Sequence, residues 1–204
     1  MNLVSVDAQA VSAELLAMAA EDLVLRAELA RSGALFDGYH PRMREVHARN
    51  AGRLGAILEA HGWPGRSLVG EDASAAAWLV LQDAIGNPSL QRRGLTLMSA
   101  AAATGDVSPI HVAMLEDRIR SNEGKGQRYG TQLDWDAEGR LSPLPIEDEP
   151  NVDQRRAEIG LGPLAEDVRR KRQLALESGE RPPRDWDARQ TEIEEWVRST
   201  GWRE

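Results

Sequence analysis

The sequence predicts a mainly α protein: a compact domain of six to seven helices carrying one small inserted β-hairpin. Apolar residues recur at helical spacing through most of the chain. Two helical stretches open with an N-cap residue followed by proline, at Asn87-Pro88 and Ser108-Pro109. The hydrophobic content of 41% is mostly Ala and Leu, with aromatics at only 4%. Ala has the highest helix propensity and allows close helix packing, and 204 residues are enough for one sizeable core.

The first helix is predicted to start after Asp7, a good N-cap residue, with Val11, Leu15, Leu16, Leu23 and Leu29 spaced helically to about Arg31. A loop from Ser32 to Pro41 holds Phe36 and Tyr39. The second helix, Pro41 to His61, has the cleanest period, with Met43, Val46, Asn50, Leu54, Ile57 and Leu58 on one face. Gly62 and Pro64 stop it. A third runs from about Asp72 to Ala84, and the fourth and fifth follow the two proline openings.

Helical periodicity then breaks. Tyr129 to Leu144 reads as a hairpin turning at Ala137-Glu138-Gly139, with Gln127, Tyr129, Thr131 and Gln132 on its first strand. A short helix capped by Asn151 or Asp153 ends at Gly160, and another follows Gly162-Pro163. A last helix spans about Asp185 to Ser199, with Trp186, Ile193, Trp196 and Val197 as its apolar stripe. The organisation predicted is one helical domain over residues 1–178, with a hairpin insert near 127–145. Residues 179–204 form a linker and a C-terminal helix suited to docking on the domain or on another subunit.

Composition excludes several functions. There is no Cys, so disulfides, thiolate nucleophiles and Cys-ligated metal centres are ruled out. Asp7, Glu14 and Glu21 interrupt the N-terminal apolar runs, which is unlike a signal peptide. No stretch approaches the ~18 apolar residues of a membrane span, so the expected location is the cytoplasm. Residues 1–150 carry −7 of the net charge of −8, which disfavours nucleic acid as a partner. No phosphate loop, dinucleotide fingerprint or nucleophile elbow is present. None of the four His has a His, Asp or Glu three or four residues away within a predicted helix. Asp134-x-Asp136-x-Glu138-Gly139 imitates the start of a calcium loop, but its twelfth position is Pro145, and a hairpin turn explains the acids better. No metal and no cofactor are therefore expected. The Arg169–Arg172 run reads as a solvated helix face.

Several segments, taken in order, resemble a known family. They are HGWPG at 61–65, SLVG at 67–70, AAW at 76–78, Gln82 with NPSLQ at 87–91, LEDR at 115–118, YGTQ at 129–132 and PIEDEPNVDQRRAEIGLGPLAE at 145–166. The set is similar to a bacterial family catalogued as domain of unknown function 6624, over roughly residues 15–170. The resemblance implies no activity. It singles out His61, Trp63, Gln82, Glu116, Asp117, Arg118, Gln127, Tyr129, Thr131 and Gln132. It also implies a His after the glutamine matching Gln82, where this chain has Asp83.

Each candidate has a structural alternative. His61 ends a helix, where it caps the dipole or serves as a base. Trp63 plugs a turn or floors a site. Gln82 and Asp83 cap the next helix or face His61. Asp117 and Arg118 form a core ion pair or line a pocket. Gln127, Tyr129 and Thr131 alternate onto one strand face, either an ordinary polar face or a row suited to an uncharged polar ligand. The functional expectation is a small-molecule site, with or without enzymatic chemistry, in which His61 or Asp83 is the base, Tyr129 the acid or donor, Gln127 and Gln132 the orienters, and Trp63, Gln82, Asp117, Arg118 and Thr131 further ligand-binding residues. The alternative is an acidic, non-catalytic interaction protein.

Overall fold

The computed structural model describes residues 3–36 and 38–204. The fold is mainly α with one two-stranded hairpin, as predicted. Its helices are α1 (Leu3–Ser32), α2 (Pro41–His61), α3 (Arg66–Val69), α4 (Glu71–Asp83), α5 (Pro88–Ala103), α6 (Pro109–Asn122), α7 (Val152–Glu158), α8 (Leu164–Ser178) and α9 (Trp186–Ser199). The hairpin pairs β1 (Leu133–Trp135) with β2 (Leu141–Pro143). Up to residue 178 there are eight helices rather than six to seven among the described residues; the unforeseen one is α3, a single turn. The chain divides into two compact units, Met1–Ser108 and Pro109–Glu204. The sequence reading placed its only division near residue 179.

The first unit is built on an antiparallel pair. On α1 the residues Val11, Leu15, Met18, Asp22, Leu25 and Leu29 are buried, at alternating spacings of four and three. On α2 the buried series is Met43, Val46, His47, Asn50, Ala51, Leu54, Ile57 and Leu58. Such spacing keeps one stripe facing a partner helix. Glu14 pairs with Arg53, Glu21 with Arg49 and Glu28 with Arg42 beside the seam. Ascending α1 residues meet descending α2 residues, so the helices run in opposite directions. Helix α1 starts at Leu3, so Asp7 is an interior residue rather than the expected cap.

Helix α4 packs against both, through Ala73, Ala76, Ala77, Val80 and Leu81. Its alanines let three helices share one core. Buried Gln91 of α5 donates to the carbonyls of Leu81 and Gln82, both at 2.9 Å, closing the C-terminus of α4. Asn87 caps α5 as predicted, accepting from the Leu90 N–H at 3.1 Å.

The second unit is organised by one buried carboxylate. Asp117 of α6 is fully buried and accepts from the backbone N–H groups of Arg128, Tyr129 and Thr131 and from the Thr131 hydroxyl. Gln127, also fully buried, donates to the carbonyls of Gln132 and Leu144 and accepts from the Gln132 N–H. These bonds bend residues 127–132 into a loop that includes Gly130 at φ +68°. The strand expected there is therefore absent; β1 begins at Leu133, and only an isolated bridge joins Gln127 to Ile146. Alternation cannot hold once the amides of Arg128, Tyr129 and Thr131 all turn toward one carboxylate.

The hairpin turn is closed by Asp136, whose carboxylate accepts from the N–H groups of Glu138 and Arg140 and from the Ser142 hydroxyl. Helix α9 is capped by Asp185 and joins the same unit. Trp186 Nε1 donates to the Trp135 carbonyl at 3.0 Å, Arg189 pairs with Asp134, and Arg203 donates to the Asn122 carbonyl. Arg172 reaches the Leu141 carbonyl and Lys171 the Thr131 carbonyl, so part of the basic run holds the hairpin rather than facing solvent.

Two stability measurements check this packing. A Cβ at Gly94 would lie 2.4 Å from Leu81 Cδ2. Gly94→Ala is expected to destabilise by about 1–3 kcal/mol in urea unfolding, although helix propensity alone favours it by about 1 kcal/mol; a gain in stability would refute the close contact. Asp117→Ala strands three amide donors, and should lose at least about 3 kcal/mol; a loss under about 1 kcal/mol would mean the loop does not depend on it.

Candidate functional site

The seam between α1 and α2 is apolar except at two successive turns, the first of which carries ionisable groups. There Asp22 and His47 occupy positions that the spacing assigns to core residues. Asp22 is 3% exposed and His47 is 8% exposed. His47 Nε2 lies 2.6 Å from Asp22 Oδ2. One turn along, buried Asn50 donates to the Met18 carbonyl, while its Oδ1 has no hydrogen-bond partner among the described residues.

Three further residues complete the cluster. Asp83, at the end of α4, is brought beside the pair. The ligand atoms of Asp22, His47 and Asp83 all lie within 4.8 Å of one another, the one such group of His, Asp or Glu among the described residues. Arg26 of α1, one turn beyond Asp22, bridges the carboxylates: its Nε is 3.3 Å from Asp22 and its Nη2 is 3.2 Å from Asp83. Tyr39, in the loop before α2, places its hydroxyl 2.7 Å from His47 Nδ1. Its ring packs on the apolar cluster of Leu25, Leu29, Met43 and Val46. The Arg44 guanidinium lies 5.5 Å from the Tyr39 ring centroid.

Electrostatics set the proton positions. Burial pushes the Asp22 carboxyl up, but the His47 hydrogen bond and the Arg26 charge outweigh it and hold the group below its ordinary value. Asp22 is therefore an ionised acceptor. Burial, reinforced by Asp83 and Asp22 against Arg44 and Arg26, pushes the Tyr39 phenol up to about 12. Tyr39 is therefore a protonated donor at neutral pH. With a neutral imidazole, the chain reads Tyr39 O–H to Nδ1, then Nε2–H to Asp22.

Chemically, the cluster offers two carboxylates and one imidazole from three helices. That donor set is borderline between hard and soft and suits divalent zinc, manganese or iron. For an ion to take Nε2, the His47 proton must move to Nδ1 and the Tyr39 oxygen must become its acceptor. A phenol can do this, and so would hold the ring of a metal-bound histidine.

The predicted site residues fall in different places. Asp83 joins the cluster. His61 does not: it is 14 residues from His47 on the same helix, about 21 Å along the axis. His61 lies instead at the solvent-facing end of α2, 3.8 Å from Asp7. Trp63 is buried in the turn after α2. Gln82 adjoins Asp83, and its carbonyl is held by Gln91. In the second unit, Asp117, Gln127 and Thr131 are committed to the loop, and Gln132 donates to the Met114 carbonyl. Arg118 is half-buried beside Asp117 on α6. Tyr129 is half-buried, its phenol raised by burial and Glu116 against the opposing Arg128 charge. A groove of about 650 Å³ in this unit is lined by Pro143, Val152, Leu164, Val168 and Arg172, among others, and by none of these candidates.

Asp22, Arg26, Tyr39 and His47 went unrecognised in the sequence. The signal was present: His47 lies between Val46 and Asn50 on the most regular apolar face, and Asp22 lies seven residues from both Leu15 and Leu29. A search for metal ligands three or four residues apart cannot find a site assembled from separate helices.

A family model described as a family of unknown function, DUF6624, matches residues 9–175, and the chain belongs to that family. The match contains Asp22, His47 and Asp83. No curated protein and no solved structure matches the chain.

The physics of the polar layer predicts its mutational behaviour. In chelator-treated protein, Asp22→Ala leaves a buried imidazole N–H unpaired and should destabilise by about 3–5 kcal/mol. The double substitution Asp22→Val with His47→Leu should cost less than Asp22→Ala alone. Additive losses in urea titrations would mean the pair does not form.

Proposed function

We propose that this DUF6624 member is a metal-dependent enzyme acting on a small molecule, with the Asp22, His47 and Asp83 cluster of its first unit holding a divalent transition-metal ion. The observation that supports the reading is the convergence of three ligand atoms within 4.8 Å from three separate helices. Two of those side chains sit where the helix spacing calls for apolar residues.

Stability does not account for such a cluster. Withdrawing a carboxylate from water costs several kcal/mol, and hydrophobic residues in place of a buried ion pair are often as stable or more so. Arg26 bridges the two carboxylates from the solvent side. A divalent cation between the three ligand atoms would meet two acid groups and one imidazole.

Three protein ligands are fewer than a closed structural site uses, and leave positions for water and substrate. When bound, such an ion lowers the pKa of its water and polarises an oxygen of the substrate. Tyr39 orients His47, and Leu25, Leu29, Met43 and Val46 keep water from the inner side.

Titration calorimetry of chelator-stripped protein with Zn²⁺ tests the reading. One equivalent should bind. His47→Ala and Asp83→Ala should each weaken it at least 100-fold, and Tyr39→Phe about 10-fold, while His61→Ala should leave it unchanged. Absence of binding, or binding indifferent to His47 and Asp83, would overturn the proposal.

A further inference from the structure

We infer that the substrate of this site is an oxyanion, carrying a carboxylate or phosphoryl group, and that Arg26 is the residue that grips it. The inference rests on the metal reading above and adds the substrate class to it.

Arg26 differs from the other members of the cluster in its access to solvent. Its side chain is 39% exposed, against 4% for Asp22 and 14% for Asp83. It stands between two buried carboxylates and the water outside. Its contacts to them are long for charge-assisted bonds, at 3.3 and 3.2 Å, and each uses a single nitrogen. A guanidinium whose carboxylate partners pass to a metal ion keeps its five donors at the mouth of the site. Its planar fork then matches the paired oxygens of a carboxylate or phosphoryl group.

A second arginine stands beside Tyr39: Arg44 is exposed, and its guanidinium lies 5.5 Å from the centroid of that ring. The inner side of the cluster thus holds the carboxylates, and its outer edge holds the Arg26 guanidinium. A neutral substrate has no use for that edge, and a cationic one is repelled by it. An anion is drawn to it, with the metal ion and Arg26 available to different oxygens.

The test is titration of phenyl phosphate and, separately, benzoate into the Zn²⁺-loaded full-length chain, with Arg26→Gln and Arg26→Lys as comparisons. At least one anion should bind wild type at least tenfold tighter with Zn²⁺ than without. Arg26→Gln should lose that binding tenfold or more while holding Zn²⁺ as tightly as wild type or tighter, which also shows that the variant is folded. Arg26→Lys should recover only part of it, since it restores charge and not the fork. The two anions decide between the phosphoryl and carboxylate forms. Tight Zn²⁺ binding with both anions ignored, or bound equally by Arg26→Gln, overturns this inference and leaves the metal site standing. If Zn²⁺ does not bind, the metal reading falls, and the metal-free protein decides. Loss of weak anion binding in Arg26→Gln then supports the role of Arg26, and no anion binding by wild type overturns it.

Discussion

The contact between Asp22 and His47 fixes the first unit. Two antiparallel helices meet along apolar stripes that could pair in several registers, each one turn, or about 5.4 Å, from the next. A polar layer in such a seam selects one of them. Any slip removes the imidazole N–H from the carboxylate, leaving Asp22 with Arg26 of its own helix and the buried His47 Nε2 unpaired. The selected register carries Tyr39 to the far side of the imidazole and sets Arg26 above both acids. It also sets the place that Asp83 fills from α4. Register, site geometry and proton positions thus follow from one bond.

The second unit uses a buried carboxylate for a different end. Asp117 meets backbone amides and one hydroxyl, all supplied by the loop it shapes. Its acceptors are filled by groups that cannot leave without unfolding the loop. Asp22 is held by the side chains of His47 and Arg26, and Asp83 shares the same half-exposed arginine. Burial and charge alone do not separate a structural acid from a chemical one. The partners differ: the amides around Asp117 leave only if the loop unfolds, whereas the Arg26 side chain beside Asp22 reaches solvent.

Much of the architecture was legible in the sequence because helix ends carry local chemistry. Asn87-Pro88 and Asp185 mark their helices by capping groups within three residues, and α2 was bounded at Pro41 and His61. Two features were not local. The 127–132 segment alternates as a strand would, and only the long-range bonds to Asp117 turn it into a loop. Likewise, Asp22, His47 and Asp83 are each unremarkable among their chain neighbours and meet only through the helix packing. Asp83 was singled out because the family resemblance implies a His at its position and because it is an acid in an otherwise apolar helix. Its partner was sought in His61, the last residue of α2, when the histidine that α4 reaches is 14 residues earlier on that helix. A charged or titratable residue breaking an otherwise regular apolar stripe was the signal to follow, and it occurs once on α1 and once on α2.

The most direct measurement is long-range ¹H–¹⁵N NMR of the imidazole nitrogens, which resolves four histidines without difficulty. In chelated protein His47 should carry its proton on Nε2. Stoichiometric Zn²⁺ should move that proton to Nδ1 and shift Nε2 as a metal ligand, with His40, His61 and His111 unchanged. A His47 spectrum indifferent to the metal, or a response confined to the other three histidines, would contradict a metal centre in the α1–α2 seam.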